Sequence, residues 1–190
     1  DPFYEIKGQA NKAALSLYSR MKDTVDYSND PLQTACQLAI AGNDIDLGAH
    51  SEYGSMDSII EDSLGYQLDQ DSFTEFEKSI EKASLILYIG DNAGETVFDR
   101  ILIEQILQKN NPQIVFVVRD KPIINDATVE DAVKAGLEKV ATIISSGSGA
   151  PATILSQCSP EMLRFYQSAD VIISKGQGNY ESLCDRSDNI

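Results

Sequence analysis

The stretch SLILYIGDNAGE, residues 84–95, decides the fold. Ser84 to Ile89 is apolar almost throughout, the pattern of a strand buried on both faces rather than on one. The run then breaks into Gly90, the polar pair Asp91-Asn92, and the small residues Ala93 and Gly94. From Thr96 to Lys109 the apolar residues recur at helical spacing. A buried strand passing through a short polar turn into a helix is the first half of a parallel βαβ unit.

Working outward, the pattern repeats. Gln113–Val118 (QIVFVV), Lys139–Ile144 (KVATII) and Asp170–Ser174 (DVIIS) read as three further buried strands. Phe73–Ala83, Val129–Leu137 and Ser159–Ser168 read as helices between or beside them. This alternation predicts an α/β fold: three layers, α/β/α, with a mostly parallel, Rossmann-like sheet over residues 71–190. Residues 1–70 lack strand-like alternation and are expected to form a helical N-terminal portion. Helices are predicted at Asn11–Met21, at Pro31–Ala41 behind the Asp30-Pro31 start signal, and at Met56–Ser63.

Composition narrows the function. Apolar residues make up 42% and charged residues 24% of the chain, ordinary for a soluble globular protein. The net charge of −15 leaves no basic stripe for phosphate backbones, so a nucleic-acid partner is not expected. No apolar run approaches the ~20 residues of a membrane span. Cys36, Cys158 and Cys184 are odd in number and lack CxxC spacing. They read as small buried apolar residues in a reducing compartment, and the expected location is cytoplasmic. His50 is the only histidine, which excludes a histidine-based triad within this chain and reads as a loop residue. The chain starts without Met and stops inside an apparently helical run, Tyr180–Ile190, so a piece of a longer protein is expected. The oligomeric state is not legible.

In open parallel sheets ligands bind at the carboxyl ends of the strands. Those ends are Gly90-Asp91-Asn92, Arg119-Asp120-Lys121, Ser145-Ser146-Gly147 and Lys175-Gly176-Gln177-Gly178-Asn179, all polar or glycine-bearing behind apolar strands. Asp91 and Asn92 offer hard oxygen ligands suited to a divalent ion, or else simply cap the next helix. Asp126, in Ile123–Thr128, offers another carboxylate, or a cap or Asx turn. Arg119 and Lys121 either hold phosphate oxygens or are solvated surface cations. The loop around Ser146 and Gly147 is rich in donors but lacks the GxxxxGK[ST] pattern. Lys175 either neutralises charge on a transferring group or snorkels from the strand end. Asn43 and Asp46, behind the second helix, either fold over the site or belong to a helix C-cap and turn. A bound cation reconciles an anionic substrate with so acidic a chain.

GDNAGE, RDKPIINDAT, SSGSGAP and ADVIISKGQGNYESL, taken with DPFYEIK at the start and AGNDIDLG, resemble the DUF89 family. Its members are also described as damage-control phosphatases or ARMT1-like proteins. The match runs in order along essentially the whole chain. The resemblance implies a metal-dependent phosphatase acting on small phosphometabolites, such as sugar phosphates or damaged phosphorylated cofactor intermediates. It implies one divalent ion (Mn, Ni, Co or Mg) on Asp91, Asn92 and Asp126. Lys175 is implied to contact the phosphate, with Asn179 in the same motif. Glu95, Asn43 and Asp46 fall on family motif positions with roles left open.

The expected chemistry is metal-assisted hydrolysis of a phosphomonoester. Asp91 is expected as a ligand, with base or nucleophile as its alternatives, and position 93 is Ala where an aspartyl-phosphate enzyme would carry a second Asp. Asp91, Lys175 and Glu95 are the catalytic candidates. Asn43, Asp46, Ser146, Gly147, Asn179 and Arg119, again with Lys175, are the substrate-binding ones. Two rivals stand: an S-adenosylmethionine-dependent carboxyl methyltransferase, and a non-catalytic metal- or metabolite-binding module.

Overall fold

A computed structural model describes residues 1–44 and 56–185. His50 and Asp46 lie outside the described residues. Four parallel strands, β1 (Leu85–Ile89), β2 (Gln113–Val118), β3 (Thr142–Ser145) and β4 (Val171–Ser174), form one sheet in the order β3-β2-β1-β4. The chain steps outward from β1 to β2 to β3, then crosses back to place β4 on the other side of β1. That reversal makes the gap between the carboxyl ends of β1 and β4 a topological switch point.

Successive residues of the central strands point to opposite faces. Ile86, Tyr88, Ile114, Phe116 and Val118 enter one apolar cluster; Leu87, Ile89, Val115 and Val117 enter another. The first is covered by α1 (Tyr4–Asp26), α2 (Pro31–Asp44), α3 (Met56–Leu64), α4 (Gln70–Lys82), α5 (Glu95–Asn110) and α6 (Val129–Lys134). The second is covered by α7 (Pro160–Ser168) and α8 (Gln177–Leu183), through Met162, Tyr166 and Leu183. The expected three-layer α/β/α architecture with a parallel sheet is thus the observed one. Each fully buried large side chain here contributes roughly 1.5–3 kcal/mol on leaving water. The helices of residues 1–44 share the first cluster with the sheet, so they are packed into the same core.

Several boundaries differ from the sequence expectation for identifiable reasons. α1 starts seven residues before Asn11, because its buried face carries Lys7 and Asn11 as well as Ala10, Ala14, Leu17, Met21 and Val25, which breaks the apolar periodicity. α4 starts at Gln70 because the Asp69 side chain accepts the Ser72 N–H at 2.8 Å, an N-cap. α6 ends at Lys134, not Leu137, because Gly136 turns the chain at φ +79. A 3₁₀ turn, Leu137–Lys139, follows, and β3 starts only at Thr142, opposite Val115. α2 runs through Gly42 and Asn43 to Asp44, so the turn expected there is helix. α8 covers Gln177–Leu183; of the helical run expected over Tyr180–Ile190, residues 186–190 lie outside the described residues. Of the cysteines, Cys158 is buried and Cys36 half-buried, but Cys184 is exposed; all are free. No helix among the described residues is long and apolar enough to cross a membrane.

Candidate active site

The polar exits of β1, β2 and β4 converge at the switch point. Behind Ile89 the chain packs tightly. A Cβ on Gly90 would lie 2.7 Å from the Phe116 ring, and one on Gly176 would lie 2.2 Å from the Asp91 carboxylate. Gly176 also has φ +87, so the β4 exit can press against Asp91 only as glycine.

The β2 exit folds back over β1. Residues 123–126 form a turn closed by the Asp126 N–H donating to the Ile123 carbonyl at 3.0 Å. Ile124, exposed at its tip, is held at φ +45, an uncommon torsion for a β-branched residue. Two backbone bonds tie this turn to the β1 exit: Ala93 N–H to the Asn125 carbonyl at 2.9 Å, and Ala127 N–H to the Asp91 carbonyl at 2.7 Å. Asn92 and Asp126 are thereby paired as a bridge. Asp91, Asn92 and Asp126, thirty-five positions apart at their extremes, are brought together.

Arg119 is 3% exposed, so it is not the solvated surface cation that strand-end arginines often are. Its Nε donates to Asp126 Oδ2 at 2.7 Å, its Nη1 to Thr153 Oγ1 at 3.5 Å, and its Nη2 to Asn179 Oδ1 at 3.1 Å. Nη2 also lies 3.9 Å from Asp91 Oδ1. Asn179, fully buried, donates to the Gly90 carbonyl at 3.3 Å and the Lys175 carbonyl at 2.8 Å. Asp126 is therefore neither a helix cap nor an Asx turn but the partner of a buried arginine; Thr128 caps α6 instead. Lys121 is exposed.

Lys175 reaches the other way, toward α2 and α5. Its ammonium contacts Glu95 Oε1, lies 3.1 Å from Asp99 Oδ1, and donates to the Ala39 carbonyl at 2.8 Å. It does not snorkel to solvent. Asp99 was not singled out from sequence, although it sits four residues after Glu95 and so on the same helix face. Tyr88 donates to Asp99 Oδ1 at 2.6 Å, while Asp99 Oδ2 and the Thr96 hydroxyl are buried without a hydrogen-bond partner among the described residues. Burial alone would pull the Lys175 pKa down, but Asp99 and Glu95 outweigh it and hold the ammonium above its ordinary range. Burial pushes the Glu95 carboxyl up against the lowering effect of Lys175, with Asp99 adding to the rise. One positive charge faces two buried carboxylates, so the lysine stays charged and Glu95 takes up a proton more readily than an ordinary carboxyl.

Asp91 is likewise shifted, to about 6, by burial first and the charge of Asp126 second, against Arg119 and Lys175. A second cation is what such a pair lacks. The oxygens of Asp91 and Asp126 and the carboxamide of Asn92 suit a hard divalent ion. Asn92 Nδ2 now donates to Asp91 Oδ2 at 3.0 Å, and a half-turn of that amide presents its oxygen there instead. Among the described residues no group of three or more His, Cys, Asp or Glu side chains is arranged to hold a metal. The set fits an ion that keeps several ligand positions for water or substrate.

The remaining candidates are placed differently. Ser146 is 1% exposed and its hydroxyl both donates to the Ser148 carbonyl at 3.1 Å and accepts the Ser148 N–H at 3.2 Å. The Gly147 N–H donates to Ser145 Oγ at 3.0 Å, and a Cβ there would meet Ser159 at 2.6 Å. The Ser146 hydroxyl and the Gly147 N–H thus close on the loop itself. Asn43 lies in the last turn of α2, and nothing is described of its side chain. Gly42 beside it lets α2 approach Glu95 and Phe98.

Buried carboxylates, a paired arginine and a lysine at the switch point of a doubly wound parallel sheet define an α/β protein with a polar strand-end site. The chain belongs to the damage-control phosphatase ARMT1-like family, whose domain model matches residues 1–190. It is 43% identical over 197 residues to the uncharacterized protein MJ0202 of Methanocaldococcus jannaschii, covering 100% of this chain and 64% of that protein. It is 38% identical to the damage-control phosphatase PH1575 of Pyrococcus horikoshii, covering 100% of this chain and 65% of the relative. An Archaeoglobus fulgidus damage-control phosphatase is 34% identical, with 98% and 65% covered. The crystal structure of PH1575, described as a DUF89 family protein, superposes with a TM-score of 0.89 over 99% of this chain and 65% of that one. The chain spans about 65% of the length of these relatives.

Proposed function

We propose that this chain carries the active site of a divalent-metal-dependent phosphatase that hydrolyses phosphomonoesters of small metabolites. Sugar phosphates and damaged phosphorylated cofactor intermediates are the substrate classes, and Mn²⁺, Ni²⁺, Co²⁺ or Mg²⁺ the ions; the enzyme works in the cytoplasm. The observation that carries this reading is the convergence of Asp91, Asn92 and Asp126 at the switch point, in a family whose relatives bear the name of phosphatases.

Asp91, Asn92 and Asp126 would hold the ion, which when bound supplies polarisation of a phosphoryl oxygen and a more acidic water. Arg119 orients Asp126 and neutralises it, and its burial suits it to that task better than to contact with substrate. Asn179 fixes the arginine and ties the β4 exit to Gly90. Lys175 supplies the positive charge for the phosphoryl group, exchanging a carboxylate partner for a phosphate oxygen. Glu95, whose proton affinity is raised, receives or delivers the proton at the reacting oxygen.

The test is hydrolysis of a broad phosphometabolite panel by the purified full-length protein, with and without each of the four ions. Metal-stimulated release of phosphate that disappears in Asp126→Ala is the expected result. Metal binding without turnover on any substrate would favour a non-catalytic binding module instead.

A further inference from the structure

The first turns of α1 and α6 meet beside the site through three buried residues that none of the chemistry above uses. Lys7, Asn11 and Asp131 are 3%, 2% and 3% exposed. Asn11 lies between the β1 exit and the first turn of α6: its Oδ1 accepts the Gly94 N–H at 2.7 Å, and its Nδ2 donates to Asp131 Oδ1 at 2.9 Å. Lys7 Nζ lies 2.9 Å from Asp131 Oδ2 and 3.3 Å from Asp1, and donates at 3.4 Å to the backbone carbonyl of Asp126. Asp131 Oδ2 also accepts from the Thr128 N–H at 2.9 Å and the Thr128 hydroxyl at 2.7 Å. One connected network therefore touches the β1 exit at Gly94 and the β2 exit at Asp126 and Thr128. Contact with the helix is direct, since a Cβ on Gly94 would lie 3.1 Å from the Ala10 backbone.

Stability alone is a poor reason for this arrangement. Buried ionic groups are commonly no better for stability than apolar residues of the same volume. Apolar residues cannot, however, accept from Gly94 and donate to Asp126 at the same time. We propose that Lys7, Asn11 and Asp131 are positioning residues, and that α1 is a strut fixing the Asp91-Asn92 turn relative to Asp126. This rests on the functional reading above for what the site does, but the strut itself is a matter of geometry. It makes α1 a component of the site from a distance of more than eighty residues in sequence.

Amide hydrogen exchange in the metal-free full-length protein tests the strut without reference to activity. The Ala93 and Ala127 N–H groups form the two backbone bridges between turn and loop, whereas Leu87 and Val115 lie inside the sheet. In Asn11→Ala and in Lys7→Met, exchange at Ala93 and Ala127 should speed at least about tenfold more than at Leu87 and Val115. Mn²⁺ affinity measured by calorimetry should weaken about 10–100-fold, the usual effect of losing support behind a ligand. If Asn11→Ala does not fold, Lys7→Met, which leaves Asp131 its Asn11 and Thr128 donors, decides the matter. Equal acceleration at all four amides, or unchanged exchange at the two bridges, would overturn the proposal, as would Mn²⁺ affinities within twofold of wild type. Wild-type protein that neither binds Mn²⁺ nor releases phosphate would remove the functional reading, and the exchange result would then decide the strut by itself.

Discussion

The exits of β2 and β4 each bury one cation and surround it differently. At β2, Arg119 spreads its planar fork over Asp126, Thr153 and Asn179, with Asp91 nearby. At β4, the single ammonium of Lys175 stands against two carboxylates and a helix carbonyl, and one Asp99 oxygen has no partner among the described residues. The arginine is fixed by geometry and satisfied, while the lysine lies in a cluster with one negative charge to spare. A buried cation is thus characterised by its partners: the first is a fixed part of the framework, and the second is the one that the proposed mechanism has change partners.

The largest expected effect comes from Asp126→Ala. On the metal role proposed for Asp126, its loss removes several kcal/mol of transition-state stabilisation, so turnover should fall on the order of a thousandfold. The variant also leaves Arg119 buried without its charged partner, costing about 3–5 kcal/mol in urea unfolding. An arginine cannot shed its proton, but Asp91 loses the neighbouring charge that raised its pKa, so that loss should be somewhat smaller at pH 8 than at pH 5. Lys175→Met should lower turnover by about 10²–10³. Its stability loss should behave otherwise: Glu95, left without the ammonium, is relieved by protonation, so the deficit should shrink as pH falls. If both deficits respond alike to pH, the distinction between the two exits is broken.

The smallest effect concerns Asp91. Its folded-state pKa of about 6 exceeds the ordinary carboxylate value, so in metal-free protein its contribution to stability is fully present below about pH 4 and is lost as pH rises through about 6. Asp91→Asn should therefore be more stable than wild type at pH 7.5 by about 1–2 kcal/mol, given partial solvent screening, and the gap should close by pH 4. Thermal unfolding of the two proteins across that range, with chelator present, measures it.

Much of this was legible in the sequence. Unbroken apolar runs marked β1, β2 and β4 almost to the residue, because strands buried on both faces leave no polar position inside. Asp91, Asn92 and Asp126 were legible as strand-end polar residues. What connects them was not. Lys7 and Asn11 look like surface positions of an amphipathic helix until the loops that bury them are in place, and Asp131 looks like an ordinary first-turn acid. Arg119 and Lys121 look alike in sequence, yet one is buried and one exposed. Which loop donors stay open to a ligand is also a tertiary matter, as the self-closed loop at Ser146 shows.

Ile124 illustrates a trade between robustness and precision. Its positive φ at the exposed tip of the turn carrying Asp126 costs on the order of 1 kcal/mol, and glycine would accept that torsion freely. Ile124→Gly is therefore expected to leave stability level or slightly higher, while the looser turn holds Asp126 less well and raises the metal requirement for turnover. Selection for thermal endurance alone would favour that substitution, and selection for turnover would oppose it. Position 124 is thus one where a screen for hardier variants would yield proteins that survive better and work worse.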